Sequence, residues 1–304
     1  MITMNKSITS KVTKGQKTLY RRLVEDAVRK GIAITLKKIG DKDGIQKLLE
    51  SGDQFQSAIV DVIVAKTREL SIFNQYANEE VKSSYGYLSG YKKPKGITEQ
   101  TNILRQLIPG IGFANEELAQ KPLSENGEAE GYFAIPRWES VAKTYGEAVQ
   151  KVIDMIKQTR NGNFYNYREG QLGSRYLQQS GKTAKAFRKL GEEQKGYDIL
   201  VVPAQLGLRH RGRSVRRACE VFTANEFGLG AFAIGIMLLT HPERFQHYDD
   251  LWIDCVGDEF APEADGVFSR APLFCFGGDE VEFDTRRVGR ARGGYGSASG
   301  FLSQ

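Results

Sequence analysis

The chain has 304 residues, 40% apolar and 26% charged, which excludes a collagen-like, coiled-coil or wholly disordered protein and leaves room for one large or two ordinary domains. The longest apolar run, Leu229 to Leu239, is too short for a bilayer, and the opening MITMNKSITSKVTKG has no apolar signal core; neither a membrane span nor a cleaved signal is expected, and the cytoplasm is the default address. The net charge of +6 is uneven: residues 1–95 hold 18 Lys and Arg against 10 Asp and Glu, leaving −2 for the remainder, and all 11 Lys or Arg positions after Lys195 are arginine.

The N-terminal part reads as a small helical bundle. Leu19, Leu23, Val24, Ala27 and Val28 recur at helical spacing, as do Phe55, Ile59, Val62, Ile63 and Leu70, with turns at Gly40 to Gly44 and Ser51 to Asp53. Asp41-x-Asp43-Gly44 begins like a calcium loop, but loop positions six and twelve hold Gln46 and Gly52 instead of Gly and Glu, so no calcium site is expected. Tyr85, Tyr87 and Tyr91 interleave with Lys92, Lys93 and Lys95; such a strip either stacks bases and neutralises phosphates or is a solvated connector. Composition shifts near residues 95–130, which divides the chain into a basic helical module at 1–120, a polar linker at 121–130 and a second domain at 131–304.

In the second domain Val141, Tyr145, Ala148, Val149, Val152 and Ile156 form one apolar helical stripe ending near Thr159 to Gly162. Tyr197 to Pro203 reads as a buried strand, and Ser214 caps a second helix with Val215, Ala218, Cys219 and Phe222 on one face. Arg209-His210-Arg211-Gly212-Arg213 brings positive charge to the start of that helix, as an anion site or as a solvated loop. After Asp250 short antiparallel strands are expected. Phe274 and Phe276 alternate with Leu273 and Cys275, and Val281, Phe283 and Thr285 with Glu282, Asp284 and Arg286, so an aromatic set faces a core and the other set faces outward. The outward set comprises Arg270, Leu273, Cys275, Asp284, Arg286, Arg287, Arg290, Arg292, Gly293 and Gly294, with Tyr295 beside it.

The ordered features from Gly131 onward are two helices, Leu251-Trp252-Ile253-Asp254, Phe274-Cys275-Phe276-Gly277-Gly278-Asp279 and the terminal Gly296 to Leu302. Together they resemble a C-type-lectin-fold domain of the formylglycine-generating-enzyme type, as used by variable proteins of diversity-generating retroelements, and are similar to sequences of candidate-phylum bacteria. For residues 131–304 the resemblance implies a domain with two helices and short antiparallel strands, which with the helical N-terminal module read above makes an α+β chain. It also implies a hypervariable segment at about 258–304, whose outward residues and Tyr295 form a diversified binding face held on a scaffold of Trp252, Phe274, Phe276, Phe283 and Phe301. Retroelement mutagenesis acts at template adenines, and an AAY codon reaches Arg, Leu, Cys, Asp, Gly and Tyr but never Lys or Glu. The outward set lies within that reach, and Glu280 and Glu282 lie outside it as scaffold.

Enzyme chemistry is not expected. The centre of Gly296-Ser-Ala-Ser-Gly300 is Ala298, no Walker A sequence occurs, and Gly228-Leu-Gly230 with Ala233 meets only a loose dinucleotide pattern where a helix precedes it. His210, His241 and His247 have no spaced partner, and Cys219, Cys255 and Cys275 form no CxxC, so reduced buried thiols and no catalytic residue, metal or cofactor are expected. The acidic Asp249, Asp250, Asp254, Asp258, Glu259, Glu263 and Asp265 read as a cation site or as solvated loops that neutralise nearby arginines. Arg286, Arg287, Arg290 and Arg292 favour acidic or aromatic surfaces, hence a protein or other macromolecular ligand. The basic N-terminal module is expected to dock a partner, or alternatively to bind nucleic acid.

Overall fold

The computed structural model describes residues 13–38, 41–70, 75–123 and 129–302. The chain is an α+β protein, helical at its N-terminus and strand-rich thereafter. By contacts it divides at Ser71 and Ile72, so residues 75–120, which the sequence reading assigned to the helical module, belong to the second unit. Of the expected linker at 121–130, residues 124–128 lie outside the described residues.

The first unit holds α1 (Lys14–Lys38), α2 (Lys42–Glu50) and α3 (Gly52–Leu70). Asp41, the start of the apparent calcium loop, is a helix cap: its carboxylate accepts from the Gly44 N–H at 2.6 Å. The Tyr20 hydroxyl and Thr67 Oγ1 lie 2.6 Å apart, linking α1 to α3. The helices form as expected, but the bundle core does not. No described side chain of the unit is buried, and Leu19, Leu23 and Val62 remain 66%, 68% and 60% exposed.

The second unit opens with α4 (Ile97–Leu107), whose Ile97 and Leu104 enter the main core. Then follow β1 (Gly131–Pro136), α5 (Tyr145–Thr159), β2 (Phe164–Asn166), β3 (Leu177–Gln179), α6 (Gly181–Glu193), β4 (Ile199–Gln205), α7 (Val215–Glu220), β5 (Glu226–Gly228) and α8 (Ala231–Thr240). The strands β6 (Trp252–Asp254), β7 (Asp258–Phe260), β8 (Arg270–Gly277), β9 (Glu280–Arg287), β10 (Tyr295–Ser297) and β11 (Ser299–Phe301) complete it. One sheet runs β1-β4-β11-β5; the other runs β10-β6-β8-β7-β3, with β9 on β8 and β2 on β9. Most pairs are antiparallel, but β10 lies parallel to β6 and β2 parallel to β9. Residues 295–301 are therefore structured, β10 joining one sheet and β11 lying inside the other.

From residue 131 onward the described residues hold four α-helices where two were expected. The stripe helix is α5, started by Thr144, whose hydroxyl accepts from the Glu147 N–H, and burying Ala148, Val149, Val152, Ile153 and Ile156. Ser214 caps α7 as expected. The sequence concealed α6 because its buried stripe, Thr183, Ala186, Leu190 and Gly191, is mostly small. It concealed α8 because every residue from Ala231 to Thr240 is buried: a helix covered on all sides is apolar all round and shows no amphipathic period. At Gly235 a Cβ would stand 2.3 Å from Val152 Cγ1. Gly235→Ala is thus expected to push α8 off α5 and cost about 1–3 kcal/mol by overpacking, read as a lower denaturant midpoint.

Candidate functional site

The β8–β9 hairpin turns on Gly278 and Asp279, both left-handed at φ +57° and +67°, the geometry of a two-residue hairpin turn. Its register pairs Phe274 with Phe283, Leu273 with Asp284 and Cys275 with Glu282. The alternation expected from sequence holds here. Phe274 and Phe283 are fully buried with ring centroids 5.0 Å apart, while Phe276 is half-buried at the core edge. Phe301, in β11, is also buried.

On the opposite face β6 sets Asp254 beside Leu273, and β10 sets Tyr295 beside Trp252 and Ser297 beside Asp254. This face is a cavity of about 450 Å³ lined by Arg270, Leu273, Cys275, Asp284, Arg286, Arg287, Arg290, Arg292 and Tyr295 of the expected set. Gly293 and Gly294 lie beside it, under Tyr85: the Ser83 hydroxyl donates to the Gly293 carbonyl, and a Cβ on Gly294 would touch the Tyr85 ring. Trp252, expected as scaffold beneath the face, belongs to the face itself. It is half-buried, packs against Tyr295 at 4.8 Å and lines the cavity.

The face has a buried floor and an exposed rim. Leu273, Cys275 and Tyr295 are only 3%, 2% and 9% exposed and cluster with Trp252, whereas Arg287, Arg290 and Arg292 are exposed. The outward set is therefore not uniformly in water. Burial and the neighbouring Glu282 hold the Cys275 thiol far above its usual range, the Sγ lying 3.4 Å from the Glu282 carboxylate. Asp284 accepts from Arg168 Nε at 2.8 Å, and Arg286 lies 4.0 Å over the Tyr295 ring.

Arg286 is 7% exposed, and its Nε is 3.3 Å from the fully buried Asp254. Its Nη2 donates to the Arg290 carbonyl. Neither Asp254 oxygen has a hydrogen-bond partner, nor do Arg286 Nε and Nη1, Thr285 Oγ1 or Ser297 Oγ. Burial, opposed by Arg286, pushes the Asp254 carboxyl up to about 6. Asp254, read from sequence as part of an acidic loop, is thus a floor residue. The period-two alternation of Trp252 and Asp254 around Ile253 held that information; the contributions of Tyr167 and Ser297 depend on the parallel pairings of β2 and β10, which have no local signal.

The other charged motifs are absorbed into the fold. His210 is buried, with Nδ1 3.1 Å from Arg213 Nη1 and Nε2 2.7 Å from Glu226. Arginine can only donate, so the imidazole proton sits on Nε2, and burial holds His210 below its usual value. Arg209 and Arg213 pair with Glu226 and Glu80; the motif is neither an anion site nor a solvated loop. Tyr91 is buried against His241, and the Arg244 guanidinium lies 3.8 Å over the half-buried Tyr87, so these two rings pack into the fold, while Tyr85, Lys92 and Lys93 of the strip stay exposed. Cys255 and Cys275 are buried, but Cys219 is exposed, against expectation.

The acidic residues between Asp249 and Asp265 are dispersed: Asp250 accepts from the Leu88 and His247 N–H groups, Glu259 from Gln178, and Asp258 from Tyr145 and Ala231. No three acidic, His or Cys side chains among the described residues converge as a metal site, and no described helix is long and apolar enough to cross a membrane. Burial pushes Asp258 up to about 7 against its hydrogen bonds from Ala231 and Tyr145. A raised carboxyl contributes stability below its unfolded value and loses it as pH rises through the folded one. Asp258→Asn, whose amide oxygen keeps one acceptor, is therefore expected to reduce the stability lost between about pH 5 and about pH 8 by about 2–3 kcal/mol, measured by denaturant unfolding.

No family model, curated protein or solved structure matches the chain.

Proposed function

We propose that the protein is a ligand-binding protein of the diversity-generating-retroelement kind, with a C-type-lectin-like second unit and an exchangeable C-terminal face, and that it binds rather than catalyses. The observation that carries this reading is the convergence of eight of the ten outward residues, chosen from sequence pattern, and of Tyr295 on one cavity above a buried aromatic layer. Side chains on the rim can be exchanged without touching Phe274 or Phe283, because successive strand residues face opposite ways. Trp252, Asp254 and Glu282 also line or underlie that face and would be its invariant part, the first two lying before the proposed variable segment and the third beyond the reach of adenine mutagenesis.

Sequencing the 3′ end of the gene and its neighbourhood across related isolates tests this. The expected result is substitutions concentrated at rim codons beside a reverse-transcriptase gene and a template repeat; differences scattered evenly, with neither element present, would remove the reading.

A second reading rests on α1, which carries Lys14, Lys17, Arg21, Arg22, Arg29, Lys30, Lys37 and Lys38 against Glu25 and Asp26 and buries none of its residues. It makes the helical unit a phosphate-backbone binder. That reading predicts duplex affinity falling steeply with salt, and affinity retained at high salt contradicts it.

A further inference from the structure

The floor of the cavity concentrates unmet polar capacity. Ten buried side-chain nitrogen and oxygen atoms among the described residues have no hydrogen-bond partner, and five of them belong to Arg286, which lines the cavity, and to Asp254 and Ser297 beneath it. Such atoms are costly when unpaired, so their grouping at one place marks where a polar partner is gained. Arg286 is the central member: more than nine-tenths buried, lining the cavity, with its Nη1 unpartnered and its Nε 3.3 Å from the Asp254 carboxylate without a hydrogen bond.

The charge around it selects the ligand. Arg270, Arg286, Arg287, Arg290 and Arg292 line the cavity with Glu282 and Asp284, and Asp284 is already answered by Arg168. The surplus is cationic and modest, and interleaved carboxylates disfavour a polyanionic phosphate backbone. The rings argue the same way. Trp252 and Tyr295 pack edge to face and Arg286 covers the Tyr295 ring, so that ring is not free to stack a base. They leave apolar surface suited to the methylenes of an acidic side chain, whose planar carboxylate matches a guanidinium.

Resting on the binding-face reading, we infer that this cavity receives a glutamate or aspartate side chain of an acidic protein segment, held by Arg286 at the floor, while the exposed Arg290 and Arg292 meet flanking acidic residues. A cavity of about 450 Å³ suits one side chain of a segment lying across the face.

The test is calorimetry on the full chain with the acetylated, amidated peptide Glu-Phe-Glu-Glu and its Gln-Phe-Gln-Gln counterpart. The expected result is a Kd below about 1 mM for the acidic peptide only, weakened roughly tenfold, about 1.4 kcal/mol, by Arg290→Gln with Arg292→Gln, and by Arg286→Lys. The rim pair is exposed, so its variant keeps the fold, and Arg286→Lys keeps a cation beside Asp254. No binding at about 1 mM, equal binding of the glutamine peptide, full displacement by equimolar inorganic phosphate, or a rim variant that binds unchanged would each overturn the assignment. Failure of the peptide with a mutation-tolerant rim removes only the carboxylate ligand, whereas an intolerant rim removes the display reading itself.

Discussion

Replacing Phe283 with alanine is expected to lower the unfolding free energy by about 3–5 kcal/mol, the range for truncating a buried aromatic in a core that only partly collapses. Phe283 is fully buried, sits across the ladder from Phe274 with ring centroids 5.0 Å apart, and belongs to the main core cluster. Phe274→Ala acts at the same place. The double variant is expected to cost less than the sum, because the two cavities merge and share their relaxation. Arg287→Ala and Arg290→Ala, by contrast, truncate exposed side chains and are expected to stay within about 0.5 kcal/mol of the parent. Guanidinium unfolding of the four single variants checks this. Equal losses on both faces would mean that the hairpin is not layered as described.

The second large effect is expected from Arg286→Met at neutral pH, about 3–5 kcal/mol, because it leaves the fully buried Asp254 without its cation. Asp254 titrates near 6 in the intact protein, and loss of Arg286 raises it further, so the variant escapes part of the cost by taking up a proton. The penalty therefore shrinks as pH falls toward about 6 and levels off below it, where Asp254 is neutral in both proteins, the direction required for a carboxylate that the fold prefers neutral. Combining Arg286→Met with Asp254→Leu removes both charges and is expected to recover most of the loss. Chemical denaturation of the three variants at two pH values measures the pattern. A single-variant loss independent of pH would contradict the pairing.

That pair also refines which outward positions are exchangeable. Arg286 is bound to the fold through Asp254, Tyr295 and the Arg290 carbonyl, while Arg287, Arg290 and Arg292 extend outward from strand end and loop. Exchange at the rim changes what is recognised; exchange at position 286 also changes stability.

Legibility in the sequence followed the range of the interactions. The hairpin with its two faces, the α5 stripe, the Ser214 cap and the buried strand now seen as β4 are written in local alternation or spacing, and each is present in the structure. What failed depends on distant chain. Helix α8 is apolar all round because two sheets and α5 enclose it, and nothing local separates such a run from a strand. The tyrosine–lysine strip reads as a solvated connector or a base-stacking strip, yet Arg244 and His241, some 150 residues on, pack against Tyr87 and Tyr91. The N-terminal helices failed in the opposite sense: their periodic apolar residues promise a core that the described residues do not form. At the site, strand alternation made the Leu273, Cys275, Asp284 and Arg286 face legible and held the place of Asp254 beside Trp252. Tyr167 and Ser297 were not legible, because β2 and β10 pair parallel with strands remote in sequence.

The central claim is a stiff layer beneath a tolerant rim, and a paired library measures it most directly. In one library Arg270, Arg287, Arg290, Arg292 and Gly293 are randomised; in the other Phe274, Val281, Phe283 and Ile253 are, and both are sorted for protease resistance of the full chain. The account predicts that most rim members survive at parental protease concentrations and that nearly all inner-layer members are cleaved; comparable survival in the two libraries, or rim members cleaved as readily as the rest, would contradict it.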